Sequence, residues 1–535
     1  MISTGLIHNP FVATKLVTFL CSHPPLCGTQ IAFSIADQMD EPDVYTWNTV
    51  LRGCLHDGSS GKEVLSAYAH SRRKCLIVDS YTLLYAIKAC GLMLAGFEGE
   101  ELHAQIFKLG FESEVITQTA LVQMYGLFQN LESAQRVFDE TPQRDLILWN
   151  ALLATYEQRN HPHKALSVAF AMMNGNVRPN GVSAVSILSA CSALCALNQG
   201  KSVHGFVIKC LLGFDLFVYN ALINMYAKCR CLINARGVFE GMPSRNVVTW
   251  TSIINGYSEN NYPYEALTLF GEMESANVRP DEITLLGVVS MCSKLGCSKL
   301  GEWIDHYIKK NGYGEIIPVA NALMDMHSKC GNIKKACQVF DGMVAKTLVS
   351  WTTLIQGLAM HGYGISALVR FCQMQREGFR PDSIAFLSIL WACSHAGLVD
   401  EGRQCFRSMV EEHSIAPWKE HYGCMADLLC RAGIVDEAFQ FVKSMPMKPD
   451  AVTWRTLFGA CKEQGNVDLA RQVMNHLLVS EPGYSGNYIL ASNLYAVMGE
   501  WDNVKEVRDA MEAWGVIVRD PACSVVELSN NVNIQ

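Results

Sequence analysis

No Cys-x-x-Cys pair occurs among the 21 cysteines of this 535-residue chain; the nearest approaches are Cys191 with Cys195 and Cys229 with Cys231. A structural zinc site needs four close ligands, and this spacing supplies none. No disulfide framework is implied either, which fits a reducing compartment; most of the thiols are expected to pack like alanine on apolar helix faces. Long apolar runs are also lacking. The most apolar stretch, Val182–Leu197, is broken by Ser183, Ser186, Ser189 and Ser192 and falls short of a membrane span. No Gly-, Ser- or Pro-rich linker divides the chain, although its length exceeds what one compact core can serve. Positive charge is in deficit: 43 Lys and Arg stand against 51 Asp and Glu, so the whole-chain field repels phosphate. That argues against tight non-specific nucleic-acid binding, although a solenoid can gather its cations on one face. His161 with His163, and Glu411 and Glu412 with His413, have no further ligands nearby in the sequence and read as solvated surface.

What the chain does have is a repeat. Trp47, Trp149, Trp250 and Trp351 recur at intervals of 102, 101 and 101 residues, and Cys90, Cys191, Cys292 and Cys393 recur at 101 each time. A fixed period of this kind means a solenoid. Within it, segments cycle near 36, 34 and 31 residues: Pro10–Asp43, Val44–Ser80, Tyr81–Glu114, Val115–Asp145, Leu146–Gly181, Val182–Asp215, Leu216–Asn246, Val247–Glu282, Ile283–Ile316, Ile317–Thr347, Leu348–Ser383, Ile384–Trp418 and Lys419–Asp450. Each holds two patterns of helical period, with glycine or asparagine at the turn between them, as at Gly331, Gly362, Gly397 and Gly433. The second helix carries alanine with an aromatic four residues on: Ala134/Phe138, Ala235/Phe239, Ala266/Phe270, Ala336/Phe340 and Ala367/Phe371. That spacing puts both on one face, where the small residue admits a neighbouring helix and the ring fills the gap. Pro179, Pro280, Pro381 and Pro449 are expected to stop the second helix.

Trp250 and Trp351 are not followed by the Leu-Gly of a tetratricopeptide repeat; the residues after the four tryptophans read Asn-Thr-Val-Leu, Asn-Ala-Leu-Leu, Thr-Ser-Ile-Ile and Thr-Thr-Leu-Ile. With AIKAC, ILSAC, VVSMC and ILWAC in the 34-residue segments, and YNALINMYAKC and ANALMDMHSKCG in the 31-residue ones, the chain resembles the plant pentatricopeptide repeat family, PLS subclass. The resemblance implies an all-α, right-handed superhelical solenoid of helix-turn-helix repeats, about 13 of them over residues 10–450. Residues 1–9 resemble the end of a hairpin and are expected to be the remnant of a truncated repeat. Residues 451–518 are similar to the paired E-type, TPR-like motifs of organellar RNA-editing factors, and 519–535 are left as a C-terminal tail, with Val525 where tryptophan is usual.

In this family one base is read per repeat. The resemblance assigns the readers to the fifth residue of each 36- or 31-residue repeat and the last residue before the next. The pairs are Thr14/Asp43, Asn48/Asp79, Thr119/Asp145, Asn150/Asn180, Asn220/Asn246, Thr251/Asp281, Asn321/Thr347 and Thr352/Asp382. The residue types suit the task. Guanine and uracil carry an imino N–H, which an acceptor-only Asp can take; adenine and cytosine present an acceptor there, to which an Asn amide can donate. By the resemblance Thr at the fifth place favours purines and Asn pyrimidines, giving 5′-G-U-n-G-C-n-C-G-n-Y-G-n-n-3′. The intervening repeats place Tyr85, Ser186, Gly287 and Ser388 at the fifth position and are expected to read poorly, and Gly423 has no side chain to read with. The plain alternative is that these Asn, Thr and Asp residues merely cap helices.

The implied role is a single-stranded RNA-binding site-recognition factor for organellar C-to-U editing, in the mitochondrion ahead of the chloroplast. Deamination in the family uses a zinc domain with His-x-Glu and Pro-Cys-x-x-Cys. None of the 15 histidines is followed by Glu two residues on, so no catalytic residue, metal ligand or cofactor is expected, and a DYW-type deaminase would be recruited in trans through residues 451–518. A splicing or stability factor, or a peptide-binding scaffold, are the alternatives.

Overall fold

The computed structural model describes residues 9–22, 28–39, 42–56, 61–74, 78–210 and 215–513. The expected remnant at 1–9 (all but its last residue) and the tail at 519–535 lie outside them. Among the described residues there are 30 α-helices, one short 3₁₀ turn and no strand. The first eight hairpins are α1 (Pro10–Ser22) with α2 (Gly28–Gln38), α3 (Val44–His56) with α4 (Gly61–Arg73), α5 (Ser80–Met93) with α6 (Gly96–Leu109), α7 (Val115–Leu127) with α8 (Leu131–Glu140), α9 (Leu146–Gln158) with α10 (Pro162–Asn174), α11 (Gly181–Ala193) with α12 (Leu197–Lys209), α13 (Leu216–Lys228) with α14 (Leu232–Glu240), and α15 (Val247–Glu259) with α16 (Pro263–Ser275). The rest are α17 (Glu282–Leu295) with α18 (Ser298–Lys310), α19 (Ile317–Lys329) with α20 (Ile333–Gly342), α21 (Leu348–Met360) with α22 (Gly364–Arg376), α23 (Ser383–Ala396) with α24 (Val399–Glu411), α25 (Lys419–Arg431) with α26 (Val435–Lys443), α27 (Ala451–Glu463) with α28 (Val467–Ser480), and α29 (Ser485–Val497) with α30 (Trp501–Ala513).

Two compact units divide between Thr284 and Leu285. In the first, the odd-numbered helices α1 to α15 pack side by side in chain order; in the second, α19, α21, α23, α25 and α27 do the same. Within each unit, even-numbered helices pack on their own partners and commonly on the next odd one, as α10 does on α9 and α11, and α22 on α21 and α23. The chain is thus an all-α solenoid of helix-turn-helix repeats, with first helices forming one continuous layer in each unit.

The periodic residues hold the layers together. All five Ala/aromatic pairs of the second helices are buried. Phe138, Phe239 and Phe340 each meet the tryptophan of the next repeat edge to face, at 4.6, 4.8 and 4.6 Å from Trp149, Trp250 and Trp351. Arg144, Arg245 and Lys346 lie over the same three rings at 4.8, 4.7 and 5.2 Å. Each such triad joins two hairpins, and an aromatic pair adds ~0.5–1.5 kcal/mol beyond its buried area. Cys90, Cys191, Cys292 and Cys393 are fully buried in the first-helix layer, where desolvation pushes the first three thiols up to about 11, 11 and 12. They pack as small apolar residues.

The prolines play a different part from the one expected. Second helices α10, α16 and α22 end five residues before Pro179, Pro280 and Pro381, in turns with Asn176, Asn277 and Gly378 at positive φ (57°, 55° and 87°). The N–H of Val177, Val278 and Phe379 reaches back to the carbonyls of Met172, Met273 and Met374, closing a Schellman turn that ends each helix. Each proline instead precedes the N-cap of the following first helix.

A second register-locked contact links the 34-residue repeats to their successors. His103 Nδ1 bonds Tyr125 Oη at 2.8 Å, and His204 Nδ1 bonds Tyr226 Oη at 2.9 Å. One period later the partners are Asp305 and His327, with His327 Nε2 3.6 Å from Asp305 Oδ2, an ion-pair separation rather than a hydrogen bond. Lys309 Nζ donates to the same Asp305 oxygen at 2.9 Å.

Candidate nucleic-acid interface

Each expected reading pair is divided between two adjacent first helices. The fifth-place residue stands one turn inside its own helix, five residues beyond the N-cap. The last-place residue is itself the N-cap of the next first helix, as Asp79 is for α5 and Asp382 for α23. Helix stacking therefore brings together residues some thirty positions apart.

Four pairs are joined by hydrogen bonds. Asn48 Nδ2 donates to both carboxylate oxygens of Asp79 at 3.0 Å, and Thr82 Oγ1 donates to Asn48 Oδ1 at 2.8 Å. Asn150 Nδ2 donates to Asn180 Oδ1 at 3.2 Å, with Ser183 Oγ donating to Asn150 Oδ1 at 2.6 Å. Thr251 Oγ1 lies 3.4 Å from Asp281 Oδ1 and 2.6 Å from Thr284 Oγ1. Thr14 reaches Asp43 through Thr46, whose hydroxyl it meets at 2.8 Å and whose N–H donates to Asp43 at 2.8 Å. The other four pairs have no such link among the described residues. Thr119 and Thr352 turn their hydroxyls back to Val115 and Leu348 carbonyls at 2.8 Å or less (2.7 and 2.8 Å). Asn220 Oδ1 and Asn321 Oδ1 are buried with no partner.

All eight last-place residues also cap. Asp43, Asp79, Asp145 and Asn180 accept the N–H three residues on at 2.8, 2.8, 2.8 and 3.0 Å. Asn246, Asp281, Thr347 and Asp382 do so at 2.9, 2.8, 3.4 and 2.8 Å. The capping explanation is therefore real, yet it uses a single oxygen. Among the described residues, Oδ2 of Asp145, Asp281 and Asp382, and Nδ2 of Asn180 and Asn246, have no hydrogen bond. Asp and Asn cap about equally well, so the cap aims the side chain and leaves free the one atom in which the two residues differ.

Around the pairs the surface is apolar, a feature sequence reasoning passed over. Two residues beyond the N-caps of α3, α9, α13, α15 and α21 stand Tyr45, Ile147, Phe217, Val248 and Val349, between 53% and 76% exposed. The signal was present: an apolar residue precedes each repeat tryptophan by two places, on the face opposite the core. The fifth-place side chains are half-buried beside this stripe, except Thr251 and Thr352, at 7% and 8% exposure. A polar pair between apolar flanks can grip a planar, hydrogen-bonding ring at its edge and faces.

The 34-residue repeats need a correction. Their first helices begin at Ser80, Gly181, Glu282 and Ser383, one residue ahead of the expected boundary. Counted from the N-cap, Tyr85, Ser186 and Ser388 are sixth, and the fifth place belongs to Leu84, Val185 and Leu387. The core fixes this register, because Leu83, Ala184 and Phe386 occupy the buried place of the repeat tryptophans. An aliphatic chain at the reading place has no hydrogen bond to offer. In α27 the same place holds Arg455, which donates to Glu481 Oε2 at 2.9 Å and Asn487 Oδ1 at 3.3 Å; there it serves a side-chain clamp. Among the described residues no group of three His, Cys, Asp or Glu side chains could hold a metal ion, and no helix is long and apolar enough to cross a membrane.

Stacked hairpins with a polar pair after the first helix of the 36- and 31-residue repeats, and aliphatic residues at that place in the 34-residue ones, define a helical-repeat solenoid. The chain belongs to the pentatricopeptide repeat family. The PPR repeat model matches residues 217–247, 319–348, 349–379, 384–414 and 420–448, the PPR repeat family model matches 245–294, and an E motif matches 464–527. It is similar to the chloroplastic pentatricopeptide repeat-containing protein At1g08070 of Arabidopsis thaliana, 35% identical over 567 residues, covering 100% of this chain and 76% of the relative. It is 36% identical over 523 residues to the putative pentatricopeptide repeat-containing protein At3g05240 of the same plant, covering 96% and 92%. The mitochondrial relative At2g22410 is 32% identical over 566 residues, covering 99% and 83%. Among solved structures, maize PPR10 matches with a TM-score of 0.53 at 18% identity, over 91% of this chain and 82% of that one. Its complex with an 18-nt psaJ RNA element matches at 0.52 and 18%, over 94% and 84%.

Proposed function

We propose that this chain binds single-stranded RNA base by base and marks sites for C-to-U editing in a plant organelle, with the deaminase supplied by another protein. The supporting observation is the half-used cap: at Asp145, Asp281 and Asp382 one carboxylate oxygen holds the helix and the other has no hydrogen bond among the described residues, able to accept an imino N–H from guanine or uracil. At Asn180 and Asn246 an amide N–H₂ is free to donate to cytosine or adenine. The fifth-place residue completes the pair, and the flanking apolar side chains supply the ring contacts. Family membership, the RNA bound by PPR10 and the chloroplastic and mitochondrial relatives support the same reading. The E motif favours editing over splicing or transcript stability. Residues 451–518, where the reading place is filled by the Arg455 clamp, are the surface for the deaminase partner.

A gel-shift series with 5′-G-U-n-G-C-n-C-G-n-Y-G-n-n-3′ and its single-base variants tests the reading. Binding with graded loss at the non-n positions is expected; binding of a peptide groove type, indifferent to every base, overturns it. Sequencing organellar transcripts from a null line separates editing from splicing: one unconverted C a few nucleotides 3′ of the match is expected.

A further inference from the structure

The first reading seams differ from the later ones. The pair Asn48/Asp79 opens into a cleft walled by Tyr45, Arg52, Tyr81 and Tyr85. A second cleft adjoins it between α5 and α7; it shares Arg52 and Tyr85 and adds Lys88 and Gln123. Three features converge on this place and nowhere else in the array. Both flanking residues two past the N-cap are tyrosines, where most later seams have Ile or Val, such as Ile147, Val182, Val248 and Val349. Tyr85 is the one aromatic among the four sixth-place residues of the 34-residue repeats. Arg52 and Lys88, each nine residues past the N-cap of α3 and α5, are the cations at that place; elsewhere it holds residues such as Gln123, Asn224, Asn255, Asp325 and Asp427. Arg52 lies one helical turn beyond Asn48, on the same face. Burial raises the Tyr85 phenol, with Arg52 opposing, so the hydroxyl stays protonated and available to donate at neutral pH.

We infer that the cleft between α3 and α5 is an anchoring site for one uridine nucleotide, the tyrosines holding the ring and Arg52 with Lys88 holding its phosphates. This rests on the RNA-binding reading and adds to it. In a chain of net charge −8, the ninth place beyond the N-cap carries a cation at Arg52 and Lys88 and holds neutral or acidic residues in the later repeats. The anchor concentrates attraction for the backbone at the second nucleotide from the 5′ end and leaves the later seams to discriminate. Asp79 Oδ2, which accepts Asn48 Nδ2 at 3.0 Å, keeps a second lone pair for the uracil imino N–H, and Arg52 and Lys88 line the same pair of adjoining clefts.

The test uses the full chain and the target oligomer with an abasic nucleotide placed at each position in turn. The expected loss is largest at the second nucleotide, about tenfold or more, because base–aromatic stacking is lost there and only aliphatic contact is lost at most later seams. Arg52→Ala and Lys88→Ala, both at exposed positions, are expected to flatten the salt dependence of log K by ~0.7 for each phosphate released, with thermal unfolding unchanged. Tyr85→Leu keeps the apolar packing and removes the ring, and should weaken binding of the intact oligomer but not of the one abasic at position two. RNA binding with a level abasic scan, or with an unchanged salt slope in the double variant, overturns the anchor. Failure of the oligomer to bind at all overturns the underlying RNA reading.

Discussion

Asp382→Asn separates the two jobs of an N-cap residue. Asp382 Oδ1 accepts the Ala385 N–H at 2.8 Å, and Oδ2 is free. Asn keeps the first bond and caps about as well as Asp, so the change in folding stability is expected to be a few tenths of a kcal/mol. What changes is the unbonded atom, from a carboxylate oxygen to an amide N–H₂. A hydrogen bond to a charged group is worth ~1.5–3 kcal/mol, and each 1.4 kcal/mol is a factor of about ten in affinity. The variant should therefore bind the oligomer with guanine at the Thr352/Asp382 position about 10- to 100-fold more weakly. It should gain on the same oligomer carrying adenine, since Thr352 is unchanged. Fluorescence anisotropy with the two oligomers, alongside thermal unfolding, measures both effects. Asp382→Ala is the control: it loses cap and acceptor together, at a stability cost of ~1 kcal/mol. A G-to-A ratio that stays put in Asp382→Asn would leave capping as the whole function of this residue and refute the reading scheme.

Two further outcomes follow from the packing. Trp351→Ala removes a fully buried ring set edge-on to Phe340 at 4.6 Å, and should cost ~3–5 kcal/mol in denaturant unfolding, with hydrogen exchange rising first in α19 to α23. Burial works to raise the Asp305 carboxyl, but His327 and Lys309 outweigh it and hold it below its ordinary value of 3.8. A depressed carboxyl stabilises the fold above that value and loses its contribution as pH falls through it. Acid unfolding of Asp305→Asn should thus show a shallower decline below about pH 4 than the parent, whereas identical acid limbs would mean the pair carries no differential energy.

Much of this protein could be read from its residues, because the decisive information is local and repeated. Tryptophan and cysteine at a period of 101, and alanine with an aromatic four places on, specify helices with one apolar face, and a helix of that kind must be covered by its neighbour. The positions of the proposed pairs were legible for the same reason: they sit at fixed offsets from that pattern. Only the tertiary structure decided which atoms are left over. The Asp and Asn side chains spend Oδ1 on their own helix start, and whether the fifth-place residue reaches the other atom depends on how two first helices stack, as Asn48 with Asp79 and Thr352 with Asp382 differ. Likewise Leu83 and Phe386, by occupying the tryptophan's place in the core, move Tyr85 and Ser388 off the reading position. Asp305 and His327 also meet only through the packing of α18 on α19, a contact set by the register between two helices and by no pattern within either.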